Sequence, residues 1–229
     1  MFTTKVQVAH HDMQDFISNY QDIDKFLTYC QQCNNYNHKW SCPPLSFNPK
    51  TYLSQYKSIY LVAVQINYSE DTINSLTTKE EISTFTRKTL RKLKNEIATA
   101  LLNLENDNTI SLSSGGCSYC CKCSRTVNQP CKKPDKMRHS LDSFGVDLGK
   151  VMEDIFNIKL LWGLDKLPKY HVLIHALISN ETISATTISD IISKNILSPS
   201  VKGKYIKLWG KERELTNYFN FHIMSESMS

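Results

Sequence analysis

The eight cysteines of this 229-residue chain fall into two short stretches. Three lie between positions 30 and 42, and five lie between positions 117 and 131. Secreted proteins held by disulfides are typically short chains with an export signal. This chain is long, and its first residues show no charged-then-apolar leader. We therefore expect a cytoplasmic protein whose cysteines serve metal or redox chemistry rather than disulfide bonds.

Length and composition favour one globular domain with an appendage. Apolar residues make up 41% of the chain, which is enough for a hydrophobic core. No apolar run approaches the roughly 18 residues of a membrane-spanning helix, and the net charge of +5 demands no acidic partner. We expect a cysteine-rich domain over residues 1–180 and a C-terminal extension over residues 181–229. Within the extension we expect a helix near 187–194 and a strand near 204–209.

Three segments have the composition of β-strands. Residues 58–66 and 170–178 are continuous apolar, β-branched runs, which is typical of strands buried on both faces of a parallel sheet. Residues 109–113, with the sequence TISLS, predict a further and shorter strand. A long helical pattern lies between the first and the second strand, so we expect a strand–helix–strand crossover unit. The sequence therefore predicts an α/β fold with a parallel or mixed sheet, with the cysteine-rich loops at one end of it.

The helices are indicated by apolar spacing and by capping residues. Residues 12–29 predict one or two short helices. Thr78 and Glu81 form a capping-box pattern at the start of a helix of about 25 residues. A further helix is expected over Asp147–Phe156, with Asp147 as its N-cap.

The second cysteine group has the spacing of an iron–sulfur site. Cys117-x2-Cys120-x2-Cys123 is the run that holds one [4Fe–4S] cube in bacterial ferredoxins, and Cys131 supplies a fourth thiol. A tetrahedral zinc site normally takes two cysteines from each of two short loops, not three from one run. Cys121 stands next to Cys120 and does not fit the Cys-x2-Cys spacing. We interpret it as a free thiol or as a residue close to the cluster that is not a ligand. The group directly follows a predicted strand, where ligand sites of open sheets are common.

The first cysteine group, Cys30-x2-Cys33-x8-Cys42-Pro, offers three thiols and leaves alternatives open. It holds a second cluster with one open iron, or it exchanges ligands with the other group, because a proline follows the shared cysteine of two-cluster ferredoxins. Alternatively, His38 completes a zinc site that is one residue short of zinc-knuckle spacing. Nearby aromatic side chains would then stack on single-stranded nucleic acid. A structural zinc clip is the remaining possibility.

Several charged or polar residues outside the two groups are candidates for supporting roles. Arg138 and His139 follow the second group, and we predict that they bind the cofactor by neutralising its charge, with the binding of an anionic substrate as the alternative. His171 and His175 fall on one face of the third predicted strand and are candidates to line the site. The basic run between residues 87 and 94 is more typical of a solvated helix face.

The motifs resemble a bacterial and archaeal family, domain of unknown function 2284, described as predicted metal-binding proteins. That family shows Cys-x2-Cys and Trp-x-Cys-Pro-Pro, then Gly-x-Cys-x2-Cys-x2-Cys, Pro-Cys-x2-Pro, Arg-x-Ser and a helix start of the Gly-x-Asp type. Cys121 is additional to this pattern, and His139 stands where a small residue or proline is common. The resemblance covers about residues 20–180. The matching positions are Cys30, Cys33, Trp40, Cys42, Pro43, Pro44, Gly115, Cys117, Cys120, Cys123, Pro130, Cys131, Pro134, Ser140, Gly145 and Asp147.

The resemblance implies a metal and names no reaction. From the residues, we expect one or two [4Fe–4S] clusters, with zinc as the alternative cofactor. The expected ligands are Cys30, Cys33, Cys42, Cys117, Cys120, Cys123 and Cys131. An electron carrier would act with a redox partner protein, whereas an enzyme with an open iron would act on a small-molecule substrate. Nucleic acid and membrane partners are not expected.

Overall fold

The computed structural model describes residues 1–163 and 165–196, and within them one four-stranded sheet forms the centre of the molecule. The strands lie in the order β1-β2-β4-β3, and every neighbouring pair is antiparallel. The two predicted double-buried runs are the two central strands. The strands are β1 (Phe2–Asp12), β2 (Ser58–Tyr68), β3 (Thr109–Leu112) and β4 (Tyr170–Ser179).

The α/β class and three strands are confirmed, but the expected parallel pairing is wrong. β2 and β3 do run in the same direction, yet β4 lies between them and pairs antiparallel with both. β4 pairs with β2 over ten residues, whereas β3 offers only four. Helices cover both faces of the sheet, so a continuous apolar run reports burial on two faces and not the direction of the neighbouring strand.

Capping residues set the helix starts as expected. The Thr78 hydroxyl accepts from the backbone of Glu81, and the Glu81 carboxylate accepts from the backbone of Thr78, which confirms the capping box. The Asp147 carboxylate accepts from the backbone of Lys150 and begins the predicted helix. The helices are α1 (Met13–Tyr20), α2 (Ile23–Gln31), α3 (Pro49–Leu53), α4 (Glu70–Ser75), α5 (Lys79–Leu102), α6 (Leu148–Phe156) and α7 (Ala185–Ile196).

Two apolar layers hold the helices on the sheet. Alternate residues of β2 face opposite sides, so Leu61 packs with the layer of α1 and α6, and Val62 packs with that of α5 and α7. Both side chains are fully buried. The sheet is therefore the middle layer of an α/β/α sandwich.

The strand β1 was not expected. Its residues alternate between half-buried and exposed positions along one edge of the sheet, so it lacks the continuous apolar signal of β2. The helix predicted near residues 187–194 is present as part of α7, which packs against α5 and β1. The strand predicted near 204–209 lies outside the described residues, and the division at residue 180 stays a prediction. Within the described residues, no helix combines the length and apolar character that crossing a bilayer requires.

Candidate metal centre

The cysteines lie in two loops that begin at the ends of regular elements. The first cysteine loop (residues 30–48) begins with Cys30 in the last turn of α2, and the second cysteine loop (residues 113–140) follows β3, as the sequence predicts. All eight cysteines are free thiols. Cys42 is buried, Cys33 and Cys121 are exposed, and the other five are half-buried.

The two loops touch where Cys42 and Cys117 approach each other. The backbone N–H of Cys117 donates to the hydroxyl of Ser41 at 2.8 Å, and the Lys39 ammonium donates to the Cys117 carbonyl at 3.0 Å. A Cβ added to Gly116 would lie 3.2 Å from the sulfur of Cys42. Glycine at this position therefore lets the second loop lie against a thiol of the first.

Arg125 of the second loop organises the backbone of the first. Its guanidinium also lies over the ring of Trp40, 5.2 Å from the centroid. The Trp40 indole N–H donates back to the carbonyl of Gln129 at 3.0 Å. These contacts make one structural unit of two segments that are about 80 residues apart in sequence. The guanidinium donates at 2.8, 2.6 and 2.8 Å to the carbonyls of Lys39, Cys42 and Pro44, respectively.

Burial holds several thiols in the protonated form. It raises the pKa of Cys30 to about 12, with a smaller contribution from the carboxylate of Asp142. Burial likewise raises the pKa of Cys42 to about 11 and raises that of Cys117. Hydrogen-bond donors already face some sulfurs: the N–H of Asn35 lies 3.5 Å from the sulfur of Cys33. Thiolate ligation here requires a positive group that offsets this burial.

Lys94 of α5 provides such a group. Its ammonium donates to the carbonyls of Gly115 and Gly116 at 3.3 and 2.5 Å. Burial, then repulsion by Lys39, lowers its pKa to about 8, and among the described residues no carboxylate forms an ion pair with it. Electrostatic interactions link it to both Cys42 and Cys117. The expectation of a solvated face for this basic run does not hold for Lys94, which turns into the site.

Arg138 and His139 are placed beside the loops but already have partners. The guanidinium of Arg138 forms a two-point ion pair with Glu105, with contacts of 2.7 and 2.5 Å. The Nδ1 of His139 lies 3.2 Å from the Ser41 carbonyl, and its ring meets Phe47 edge-on. Burial lowers the pKa of His139, which favours the neutral ring. Their role as cofactor-binding residues stays a prediction.

The two strand histidines occupy different surroundings. The ring of His171 hydrogen-bonds the hydroxyl of Tyr68 at 2.9 Å and belongs to the packing of the α5 face. His175 is fully buried and lines a cavity of about 10 Å³, room for about one water, together with Lys94 and Cys117. Among the described residues, neither ring nitrogen of His175 makes a hydrogen bond of normal geometry, although the backbone of Leu112 is close enough to act on the pKa of the ring. Of the pair, His175 is thus the one that lies at the candidate centre.

The zinc-knuckle pattern does not assemble around His38. That ring is exposed, and its Nδ1 lies 2.8 Å from the carbonyl of Tyr36. Across residues 1–163 and 165–196, no three histidine, cysteine, aspartate or glutamate side chains converge closely enough to hold a single metal ion. The donor set itself, free thiols from two touching loops with a lysine between them, has the chemistry of a thiolate-bound metal group.

Three groups that sequence reasoning missed organise this centre: Ser41, Lys94 and Arg125. Lys94 carried a detectable signal, because it follows the buried Leu93 and lies three residues before the buried Ile97. That spacing puts it at the border of the apolar stripe of α5. Arg125 and Ser41 carried no such signal, since the hydrogen bonds that each makes across the centre are to backbone atoms of the other loop.

Comparison with known proteins identifies a family. No curated protein and no solved structure is similar enough to match the chain. The sequence profile of a family described as predicted metal-binding proteins matches residues 17–175, which include both cysteine loops. Because this match covers more than half of the chain, the protein belongs to the predicted metal-binding family known as domain of unknown function 2284.

Proposed function

We propose that the protein binds one or two [4Fe–4S] clusters through its two cysteine loops and acts in electron transfer. The spacing of the second group supports the choice of iron–sulfur over zinc. In the first group, Cys30, Cys33 and Cys42 hold a second cluster or share ligands with the first. The ligands of the first-choice cluster are Cys117, Cys120, Cys123 and Cys131.

The observation that carries the proposal is the position of Lys94. Its ammonium lies against the second loop beside Cys117 and within electrostatic range of Cys42, with carbonyl oxygens as its hydrogen-bond partners. Buried charges in proteins are normally paired or bound to metal groups. Asp142 acts on Lys94 electrostatically but forms no ion pair with it. A cluster held by thiolates carries net negative charge, so it would supply a counter-charge in direct contact.

The chain's own residues prepare the loops for such a group. Arg125 fixes the carbonyls around Cys42, and the Ser41 hydroxyl fixes the backbone at Cys117. Hydrogen bonds of the kind seen at Cys33 tune the potential of iron–sulfur clusters. When bound, the cofactor would supply one-electron oxidation and reduction.

Cysteine-to-serine variants test the ligand assignment, with Cys121 as the matched control. We expect Cys120→Ser to lose the iron and the brown colour of the second group, because serine replaces a thiolate ligand in the ferredoxin-like run. Cys121→Ser, at the next position, should retain full iron content because its exposed thiol stands outside that run. Iron analysis and visible absorbance of anaerobically purified proteins measure both. Equal loss of iron in the two variants would contradict the assignment.

A third variant counts the clusters. If the first group binds its own cluster, Cys42→Ser should lower the iron from about eight to about four per chain. If the two groups share one cluster, the wild type should contain about four irons and Cys42→Ser should lose most of them. Iron content unchanged by Cys42→Ser would remove the first group from the proposal.

A further inference from the structure

The second cysteine loop concentrates the positive charge of the chain. Residues 117–138 contain six lysines and arginines and one carboxylate, a net charge of +5 that equals the net charge of the whole chain. The carboxylate is Asp135. Four of the basic side chains are exposed and form what we call the basic surface: Lys122, Lys132, Lys133 and Lys136.

An open apolar groove adjoins the basic surface. Its volume is about 420 Å³, and the lining is almost entirely carbon. Cys131, one of the proposed cluster ligands, forms part of the wall. A molecule seated here would therefore lie against one of the proposed ligand residues. The groove is lined by Trp40, Asn128, Pro130, Cys131 and Met137.

The groove is held in shape by contacts already described. The Trp40 indole is fixed by its hydrogen bond to Gln129, and Arg125 lies over its ring. Arg125 covers one face of the Trp40 ring, which leaves at most the other face for a ligand. An apolar centre that contains Trp and Met, with a charged rim, is the anatomy of a protein–protein interface.

We infer that the basic surface and its groove dock an acidic electron-transfer protein, an inference that rests on the proposed function. One electron leaves the reduced flavin or iron–sulfur cofactor of the partner, which is thereby oxidised. The same electron would enter the cluster of this protein, which would thereby be reduced by one electron. Complementary charge steers such partners together and raises the association rate, and the interfaces of redox complexes are small.

Reduced flavodoxin, an acidic flavoprotein, is the first probe, and an acidic ferredoxin is the second. Binding is followed by the fluorescence anisotropy of oxidised flavodoxin, and electron transfer by stopped-flow absorbance of the anaerobic, iron-loaded protein. Lys132→Glu with Lys133→Glu reverses two charges of the surface. Lys5→Glu with Lys169→Glu makes the same change in net charge at two exposed lysines elsewhere.

We expect the surface variant to weaken binding and to slow electron transfer by at least about tenfold, and the control variant to change either by less than about twofold. The wild-type rate should fall about tenfold between about 20 and about 200 mM salt, because salt screens the steering field. If the iron-loaded protein binds neither acidic carrier, or if the two variants behave alike, the docking inference is wrong but the iron–sulfur proposal stands. Tighter binding of a single-stranded oligonucleotide than of either carrier leads to the same conclusion. An iron-free protein overturns the proposed function and the inference together.

Discussion

Around the sheet, residues such as Leu61, Ile97 and Ile188 are completely buried, and the helices are held by apolar side chains on both faces. In the cysteine loops, by contrast, the contacts that join one segment to the other are hydrogen bonds from Arg125, Trp40 and the backbone of Cys117. The first region is stabilised by the hydrophobic effect, which needs no ligand. The second is shaped by polar contacts around buried thiols and a lysine.

This difference separates stability from metal binding. The sheet region should stay folded whether or not the loops hold a cofactor, because neither of its two apolar layers contains a cysteine. The loops place positive and hydrogen-bonding groups around the sulfurs before any metal arrives. Each of the next four changes affects one region more than the other, and they are ordered by expected size.

The largest effect is expected in the sheet. Leu61→Ala removes a fully buried side chain from the central strand β2 and should lower the free energy of unfolding by about 2–5 kcal/mol. Chemical denaturation followed by circular dichroism measures it. The protein that remains folded should hold as much iron per chain as the wild type. Selective loss of iron from folded protein would show that the two regions are not separable.

Arg125→Ala should act mainly on the loops. It removes three hydrogen bonds from a charged donor to the first loop, and we expect a loss of about 2–3 kcal/mol together with faster loss of iron to a chelator. Arg91→Ala is the matched control, because that exposed guanidinium donates a single hydrogen bond within the described residues, to the Ser118 carbonyl of the second loop at 3.2 Å. Equal chelation rates in the two variants would contradict an organising role for Arg125.

Acid should destabilise the sheet region through its buried histidines. Burial lowers the pKa of His171 to about 4, so the folded state stays neutral while the unfolded chain takes up a proton below about pH 6.5. Stability from this group is complete above pH 6.5 and is lost as the pH falls towards 4. Between pH 6.5 and 5 we expect His171→Gln to lose about 1–2 kcal/mol less than the wild type. If denaturation curves show that the variant and the wild type lose the same free energy of unfolding between pH 6.5 and 5, His171 is not the group responsible.

Lys94→Met should have the smallest effect on stability. It should slightly stabilise the metal-free protein but weaken its retention of iron. In the metal-free protein the charged lysine is disfavoured by burial, so we expect its replacement to raise the free energy of unfolding by about 1 kcal/mol at pH 7. The same variant should lose iron to a chelator faster, because the counter-charge of the cofactor is gone. If the variant is less stable than the wild type without metal and keeps its iron, Lys94 does not supply the counter-charge to the cofactor.

Local signals in the sequence were sufficient for the elements whose residues carry a strong pattern. The capping box at Thr78, the N-cap at Asp147 and the apolar runs of β2 and β4 all specify their own segments. Strand order is different, because β2, β3 and β4 compete for neighbours through contacts that no local window contains. The edge strand β1, with half-buried alternating residues, was missed for want of a continuous apolar run.

For the candidate centre, the spacing of the cysteines predicts which thiols act together, but it carries no information about what surrounds them. The spacing of the cysteines lies within short stretches of the chain and can therefore be recognised from the sequence. The approach of Gly116 to Cys42 and the hydrogen bonds of Arg125 join distant segments through backbone atoms, which leave no mark on residue type. His175 looked no different from His171, although only His175 lines the cavity beside Cys117.

The metal content of the protein purified without oxygen tests the central claim most directly. The iron–sulfur proposal predicts a brown protein with about four or about eight irons per chain and an equal amount of acid-labile sulfide. A colourless protein that contains stoichiometric zinc and no sulfide would contradict it.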